Sequence, residues 1–290
     1  MVVSLARFIA GNILHIDGMM CGLVKSPEGG AAFADVIEEP PLRRLVKKHV
    51  SQPRWEDLEL QVDLSQSDRV YSWIAASWRG EVQARTVLIT TVDSERNVIR
   101  RREFDRALIT ETTVPTLDAT ARDAAFLTLK LAPGAVRTLP SGGTVSLPAV
   151  VRRWLRSAFR LELPGLDCTT VSKIDSFTVK QTFTSANGDV REPGPLSFPN
   201  LTVTLSERSA ETWQSWFNNF VLEGNNADSQ EKTGRLVLLT PDLEQELATI
   251  DLFNVGIFRL APGPEREGDD LATRRVVAGL YCERMDFRVA

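Results

Sequence analysis

Leu58, Leu60, Val62 and Leu64 alternate with Glu59, Gln61 and Asp63, the period of a strand with one buried face. Directly afterwards Val70, Trp73, Ile74 and Trp78 recur at i, i+3, i+4 and i+8, one face of a helix. Ser65 and Asp68 have the spacing of a capping box with a shorter acid, and Gly80 supplies a stop. The same succession returns later. Leu201, Val203 and Leu205 alternate with threonines and Ser206, and Trp213, Trp216, Phe217, Phe220 and Val221 then line one helical face up to Gly224. Asp57–Ile74 and Asn200–Phe217 align without a gap at an offset of 200 − 57 = 143, with Leu58/Leu201 and Trp73/Trp216 identical. A second block aligns Val87–Ile109 with Leu236–Phe258 at an offset of 236 − 87 = 149. It matches Thr91/Thr240, Asp93/Asp242, Glu95/Glu244 and Phe104/Phe253. The growth from 143 to 149 predicts a six-residue insertion within the polar stretch Asn225–Thr233. The chain thus reads as two copies of one module.

The remaining pattern fills in each copy. Phe8–Ile16 and Met19–Val24 flank Asp17-Gly18, a hairpin signal because both turn positions need positive φ. That strand–turn–strand reading fits Met1–Met20 better than a signal peptide, since Asn12, His15 and Asp17 interrupt the apolar run. Phe33–Val36 reads as a strand, and Pro40–Pro53, with Arg43, Arg44, Lys47 and Lys48, as an exposed loop or short helix. Strands are expected at Thr86–Thr91, Val98-Ile99, Phe104–Ile109 and Ala125–Leu131, and again at Arg235–Thr240, Leu247–Ile250, Phe253–Leu260 and Val276–Met285. Pro140, Gly142, Gly143 and Pro148 mark a linker, with a short helix at Val150–Leu155. The second copy opens with alternating Phe159, Leu161 and Leu163, the turn Pro164-Gly165 and a strand near Ser176–Phe183. Each copy is a set of antiparallel strands interrupted by one amphipathic helix, an α+β or mostly β sandwich or barrel.

Composition adds limits. With 290 residues, 43% hydrophobic and 25% charged, the chain has room for two globular domains. No apolar run reaches the length of a membrane span. Residues 1–150 hold 18 basic and 18 acidic side chains, whereas 159–290 hold 13 and 20, a net of −7. Neither half is the basic domain expected of a nucleic-acid binder. Cys21, Cys168 and Cys282 form no CxxC pair and favour reduced, buried thiols, with a single disulfide left open.

Candidate chemistry is sparse. His15 and His49 are the only histidines, and His15 falls within a predicted strand. No zinc spacing, phosphate loop, G-x-G-x-x-G or G-x-S-x-G occurs. Asp93, Glu95, Asp242 and Glu244 could be paired carboxylates, but acids also suit short turns between strands. Arg100, Arg101, Arg102 and Arg106 form the densest basic cluster. In a strand Arg100 and Arg102 face one way and Arg101 the other, so the cluster reads as solvated or subunit-facing. The stripe of Trp213, Trp216, Phe217 and Phe220 reads as helix-to-sheet packing.

The order of alternating strand, Ser-Trp-[Ile/Phe] helix (Ser72–Ile74 and Ser215–Phe217), strand, acidic turn and Phe-bearing strand spans Pro53–Trp78 with Val87–Ile109. It spans Phe198–Gly224 with Arg235–Leu260 as well, and Phe159–Leu166 adds a first strand and turn. This resembles the tail-tube protein family of contractile phage tails and contractile injection systems. The resemblance implies two tandem tube-like antiparallel β-sandwich/barrel domains, each with a flanking amphipathic helix, at 1–137 and 159–290 with a linker at 138–158. Family members are usually single domains that assemble six to a ring, with strands of neighbours closing a barrel around a lumen. Two tandem domains instead resemble a baseplate hub, in which three chains present six wall segments. The implied role is a structural component of the tube wall or of a pseudo-sixfold hub or adaptor ring. Its partners are further copies, as trimer or hexamer, and other tube, baseplate or spike proteins, with no membrane and no direct nucleic-acid contact. No enzyme activity, cofactor, metal or catalytic residue is implied. The expected location is a particle assembled from cytoplasmically synthesised chains. The alternative is a non-wall adaptor or cargo-like protein bound to the tube.

Overall fold

The computed structural model describes residues 11–39, 46–64, 67–146, 154–186, 190–263 and 274–290. The first half contains β1 (Gly11–Ile16), β2 (Met19–Gly29), β3 (Ala32–Phe33), β4 (Val36–Glu38), β5 (Lys48–Val50), β6 (Arg54–Trp55) and β7 (Leu58–Val62). α1 (Asp68–Trp78) follows, then β8 (Arg85–Val92), β9 (Val98–Val114), β10 (Leu117–Asp118), β11 (Leu127–Ala132) and β12 (Ala135–Leu139). The second half contains β13 (Phe159–Glu162), β14 (Val171–Ile174), β15 (Phe177–Ala186), β16 (Val190–Ser197), β17 (Leu201–Ser206) and α2 (Glu211–Phe217). β18 (Lys232–Leu239), β19 (Glu246–Pro262) and β20 (Arg275–Val289) complete it. The protein is mostly β, as the alternation predicts.

In the first half β1, β8, β9, β11, β7 and β2 pair in that order, and β2 pairs back to β1, so the sheet closes into a barrel. Closure removes the open edges that a half-buried sheet would otherwise present. In the second half the order β13, β18, β19, β20, β17, β14 repeats that path. Here β13 and β14 do not pair, and β10 from the first half covers the free edge of β14. One apolar core runs through both halves, from Leu14 and Trp73 to Trp213 and Met285.

Ladder register refines the match between the halves. Val87 pairs with Phe104 and Gly234 with Leu252, each beside a bulge. The offsets are therefore 234 − 87 = 147 and 252 − 104 = 148, not 149. Leu252, not Phe253, takes the place of Phe104. Phe104 is buried, whereas Phe253 turns outward beneath the Arg284 guanidinium, 4.0 Å from its ring. The 143 offset holds at β7 and β17, so the insertion before β18 is 147 − 143 = 4 residues, not six. The turns after β8 and β18 differ by one residue, which makes the Asp93/Asp242 and Glu95/Glu244 matches non-equivalent. The arms also correspond: β3–β6 and β4–β5 make one arm, β15–β16 the other. Phe33↔Arg54 and Val36↔Val50 match Lys180↔Ser197 and Phe183↔Pro193, with the ladder slipping at the same point.

Local departures have local causes. β5 is a strand where a loop or short helix is expected, because it pairs with β4; residues 40–45 lie outside the described set. α1 begins after Ser67, not Ser65, which is outside the described residues, and Ser67 makes no side-chain cap. The helical run after α2 widens into a π turn at Asn218–Leu222. The wider turn keeps Phe220 buried but rotates Val221 out to solvent, against the expected stripe. The predicted linker is anchored on both sides: β12 runs to Leu139, Asn97 bridges Thr144, Trp154 is buried and Leu155 bridges Ala124. The helix expected there falls mostly on residues 150–153, outside the described set.

The Asp17-Gly18 turn has φ of 50° and 79°, as the hairpin signal requires. Asp17 also ties the turn to β8. Its Oδ2 accepts from Arg85 Nη1 at 2.7 Å and Arg69 Nη1 at 3.2 Å, and its Oδ1 from the Thr86 N–H at 3.1 Å. Burial works to raise the carboxyl, but the Arg85 and Thr86 hydrogen bonds and the two arginine charges together hold it below 3.8. A lowered folded-state value contributes stability above the unfolded value that is lost as pH falls through the folded one. Asp17→Asn is therefore expected to unfold at lower denaturant concentration than the parent at pH 7. The difference shrinks as the pH falls below about 4. A gap between the two unfolding midpoints that does not narrow with acid would refute the assignment.

Candidate assembly interface

The two halves meet along a shared strand edge. β9 is 17 residues long, but its ladder with β8 ends at Arg85↔Ala107. Beyond that point the edge facing β8 is free, because α1 and its following turn occupy the chain before Arg85. β15 fills the vacancy, with Phe177↔Val114, Thr178↔Thr113, Val179↔Thr112 and Lys180↔Glu111. Thr113 and Thr178 hydroxyls lie 2.8 Å apart, Ser176 Oγ donates to the Val114 carbonyl at 2.9 Å, and Lys180 Nζ sits 3.3 Å from Glu111 Oε1. Phe177 and Val179 are buried by this docking. The half-exposed ion pair contributes little, so backbone pairing and apolar cover hold the joint. Farther along the arm, Phe183 lines a small pocket together with Trp73, Ser77 and Gly80 at the end of α1.

A second contact joins α1 to β20. The Phe287 ring lies 5.7 Å from Trp78 and 6.4 Å from Tyr71, both tilted. All three side chains are buried. Behind the joint, Arg156 Nε donates to the Thr116 carbonyl at 2.7 Å, fixing the segment that leads into β10.

The residues considered for chemistry do not converge. Asp93 Oδ1 accepts the N–H groups of Glu95 and Asn97, both at 2.9 Å, and Asp242 accepts from Thr240 Oγ1 and the Glu244 N–H. Each aspartate therefore caps its own turn, and these hydrogen bonds, led by those from Asn97 and Thr240, hold both carboxyls below the usual range. His15 sits on β1, where burial and then the Arg101 charge lower its imidazole. His49 is on β5, with Nε2 2.8 Å from Glu39 Oε1. Arg102 donates to the Gly29 carbonyl at 3.0 Å and the Gly30 carbonyl at 2.7 Å and lies over Phe104. Arg100 and Arg102 line one small pocket and Arg101 faces His15, the alternation expected of a strand. Among the described residues no group of three or more histidine, cysteine or carboxylate side chains could hold a metal. The three cysteines are free thiols, so the open disulfide is resolved. Burial pushes Cys282 up to about 11. Trp213 and Trp216 pack edge to face, and tilted contacts continue from Trp216 to Phe220 and on to Tyr281 on the sheet.

Sequence reasoning finds the helices and strands but not the joint between the halves. Thr112–Val114 and Phe177–Lys180 carry an ordinary strand pattern, and nothing in it names the partner. The one legible hint is the length of the β9 run relative to β8.

Residues 46–136 match the family described as T4-like virus tail tube protein gp19. Among solved structures, the chain is similar to the tube-terminating cap of the anti-feeding prophage, at 13% identity and a TM-score of 0.37. That match covers 51% of this chain and 97% of that one. It is similar also to a chain in the sixfold-symmetrised baseplate of the anti-feeding prophage, at 16% identity and a TM-score of 0.34, over 49% and 97%. No curated protein matches the chain. No helix among the described residues is long and apolar enough to cross a membrane. The first half is tail-tube-like.

Proposed function

We propose that this chain, tube-like in its first half, is a structural component of a contractile phage tail or phage-tail-like injection system. Two tube-like units, residues 1–137 and 159–290 joined through 138–158, form wall segments of a tube ring or of a pseudo-sixfold hub or adaptor ring. The observation that carries the reading is the docking of the second half's arm on the free edge of β9. It makes, within one chain, the kind of edge-to-edge joint a ring wall needs between subunits. The repeated strand order supports it, since both halves offer the same edge and the same arm. Three chains with two units each give six wall segments, which would let such a ring join a sixfold tube to a threefold partner. The work is assembly: the partners are further copies and other tube, baseplate or spike proteins, and no bond-making chemistry is required.

Negative-stain electron microscopy of the purified protein, alone and with neighbouring tail proteins, tests this. Rings with a central hole, built of three or six chains, are expected. A particle that stays monomeric at high concentration and binds a preformed tube without entering its wall would favour the adaptor or cargo-like alternative.

A further inference from the structure

The joint inside the chain leaves its two counterparts unused. β18 ends its ladder at Lys232↔Val255, so from Gly256 onward β19 pairs only with β20 among the described residues. At the offset of 148 the free stretch Arg259–Ala261 stands where Glu111–Thr113 receive β15. At the offset of 147 Ala31–Phe33 stand where Thr178–Lys180 do the docking. Neither segment has a partner on its outer edge among the described residues. From these matched vacancies we infer that Ala31–Phe33 of one copy pair antiparallel with Arg259–Ala261 of a second copy, joining chains head to tail.

Exposed apolar side chains gather on both surfaces. Of the thirteen exposed large hydrophobic residues described, Phe33, Val36, Ile37 and Val50 lie on the arm and Val221, Leu222 and Phe258 beside the receiving edge. Val50 and Leu222 are 75% and 70% exposed. The correspondence places them usefully. Val36 holds the position of Phe183, which lines a pocket with the end of α1, and Leu222, one residue farther on because of the π turn, holds that of Trp78, which packs on the other half. Half-buried Phe183 and buried Trp78 thus have counterparts that are exposed and apolar where the second joint would form. The pairing also changes character: Lys180 opposite Glu111 becomes Phe33 opposite Arg259, an aromatic–cation pair in place of an ion pair. Pro262, at the position of Val114, has no N–H to donate and ends the ladder. A contact between two different surfaces of one chain is heterologous, and it closes into a ring when its rotation divides the circle.

The inference rests on the ring-forming reading, and cysteine cross-linking separates the two. Ala31 and Ala261 correspond to Thr178 and Thr113, whose hydroxyls touch. Under mild oxidation, Ala31→Cys/Ala261→Cys is expected to give disulfide-linked multimers on non-reducing gels, with each single variant giving no multimer ladder. Thr113→Cys/Thr178→Cys is expected to link within one chain without forming multimers. Light scattering runs in parallel. Multimers that form without the Ala31–Ala261 link overturn the head-to-tail pairing and leave the ring reading standing. A monomer at high concentration with no link overturns both, and a link formed within a single chain overturns the pairing. Val36→Asp supplies a readout independent of disulfide chemistry, with an expected weakening of association of about tenfold or more. Unchanged association would count against the joint.

Discussion

Trp78→Ala is expected to destabilise the chain by about 3–5 kcal/mol, the range for deleting a large aromatic side chain from a packed core. Trp78 is the last residue of α1, 1% exposed, and its ring packs on Phe287 near the chain's C-terminal end. The loss thus falls on a contact between the two halves as well as on the first barrel. Phe287→Ala carries a comparable cost, since Phe287 is 2% exposed and touches Tyr71 as well. The double variant decides whether the halves stand alone. Residues in direct aromatic contact couple by about 0.5–1.5 kcal/mol, so the two losses should fall short of adding by that amount. Urea unfolding followed by tryptophan fluorescence and by circular dichroism measures both. Coincident transitions with a non-additive double variant are expected; separate transitions with strict additivity would mean that the halves fold independently. Trp78→Phe is the control for shape. The Trp78 indole N–H is buried without an acceptor among the described residues, a state that costs about 1–3 kcal/mol, so removing it offsets part of the lost volume. Trp78→Phe should therefore cost clearly less than Trp78→Ala.

The elements that pack a local stripe were legible in the sequence. The alternation over Leu58–Leu64 and Leu201–Ser206, the tryptophan faces of both helices and the Asp17-Gly18 turn all report contacts within about twenty residues, where periodicity carries the information. Register was less legible. Sequence identity favoured Phe104 with Phe253, because identical residues draw an alignment together. The ladder instead equates Phe104 with Leu252, since burial and pairing, not residue type, define position on a strand. Interfaces were barely legible. Thr113 and Thr178 look like any threonines on an exposed strand face until their edges are brought together. The π turn at Asn218–Leu222 escaped for a related reason: one added residue per turn leaves the apolar spacing intact up to Phe220 and changes only where Val221 points.

Gly29→Ala should cost about 2–5 kcal/mol and disturb assembly as well as folding, because two penalties meet at one atom. Gly29 ends β2 at φ +89°, where a side chain costs about 1–2 kcal/mol. A Cβ there would also overlap the Asp57 carbonyl oxygen, just before the strand it pairs with. Overpacking of this kind costs about a further 1–3 kcal/mol, and the obstacle is backbone that cannot rotate away. Ser176 takes the corresponding place in the second half, and it carries a Cβ without difficulty. The chain there continues straight into β15 and onto β9, whereas Gly29-Gly30 bends left-handed at the base of the first arm. Arg102 holds that bend by donating to both glycine carbonyls. The bend, not the strand order, is therefore what sets the two arms apart. Arg102→Ala separates direction from strain. It leaves the glycines free of any clash, so it should lower stability by only about 1.5–3 kcal/mol, the worth of hydrogen bonds from a charged donor, while loosening the arm. Hydrogen exchange over residues 29–38 measures the loosening: faster exchange there, with the β7 and β8 amides unchanged, is the expected result. Equal acceleration throughout the barrel would mean that Arg102 holds the barrel and not the arm.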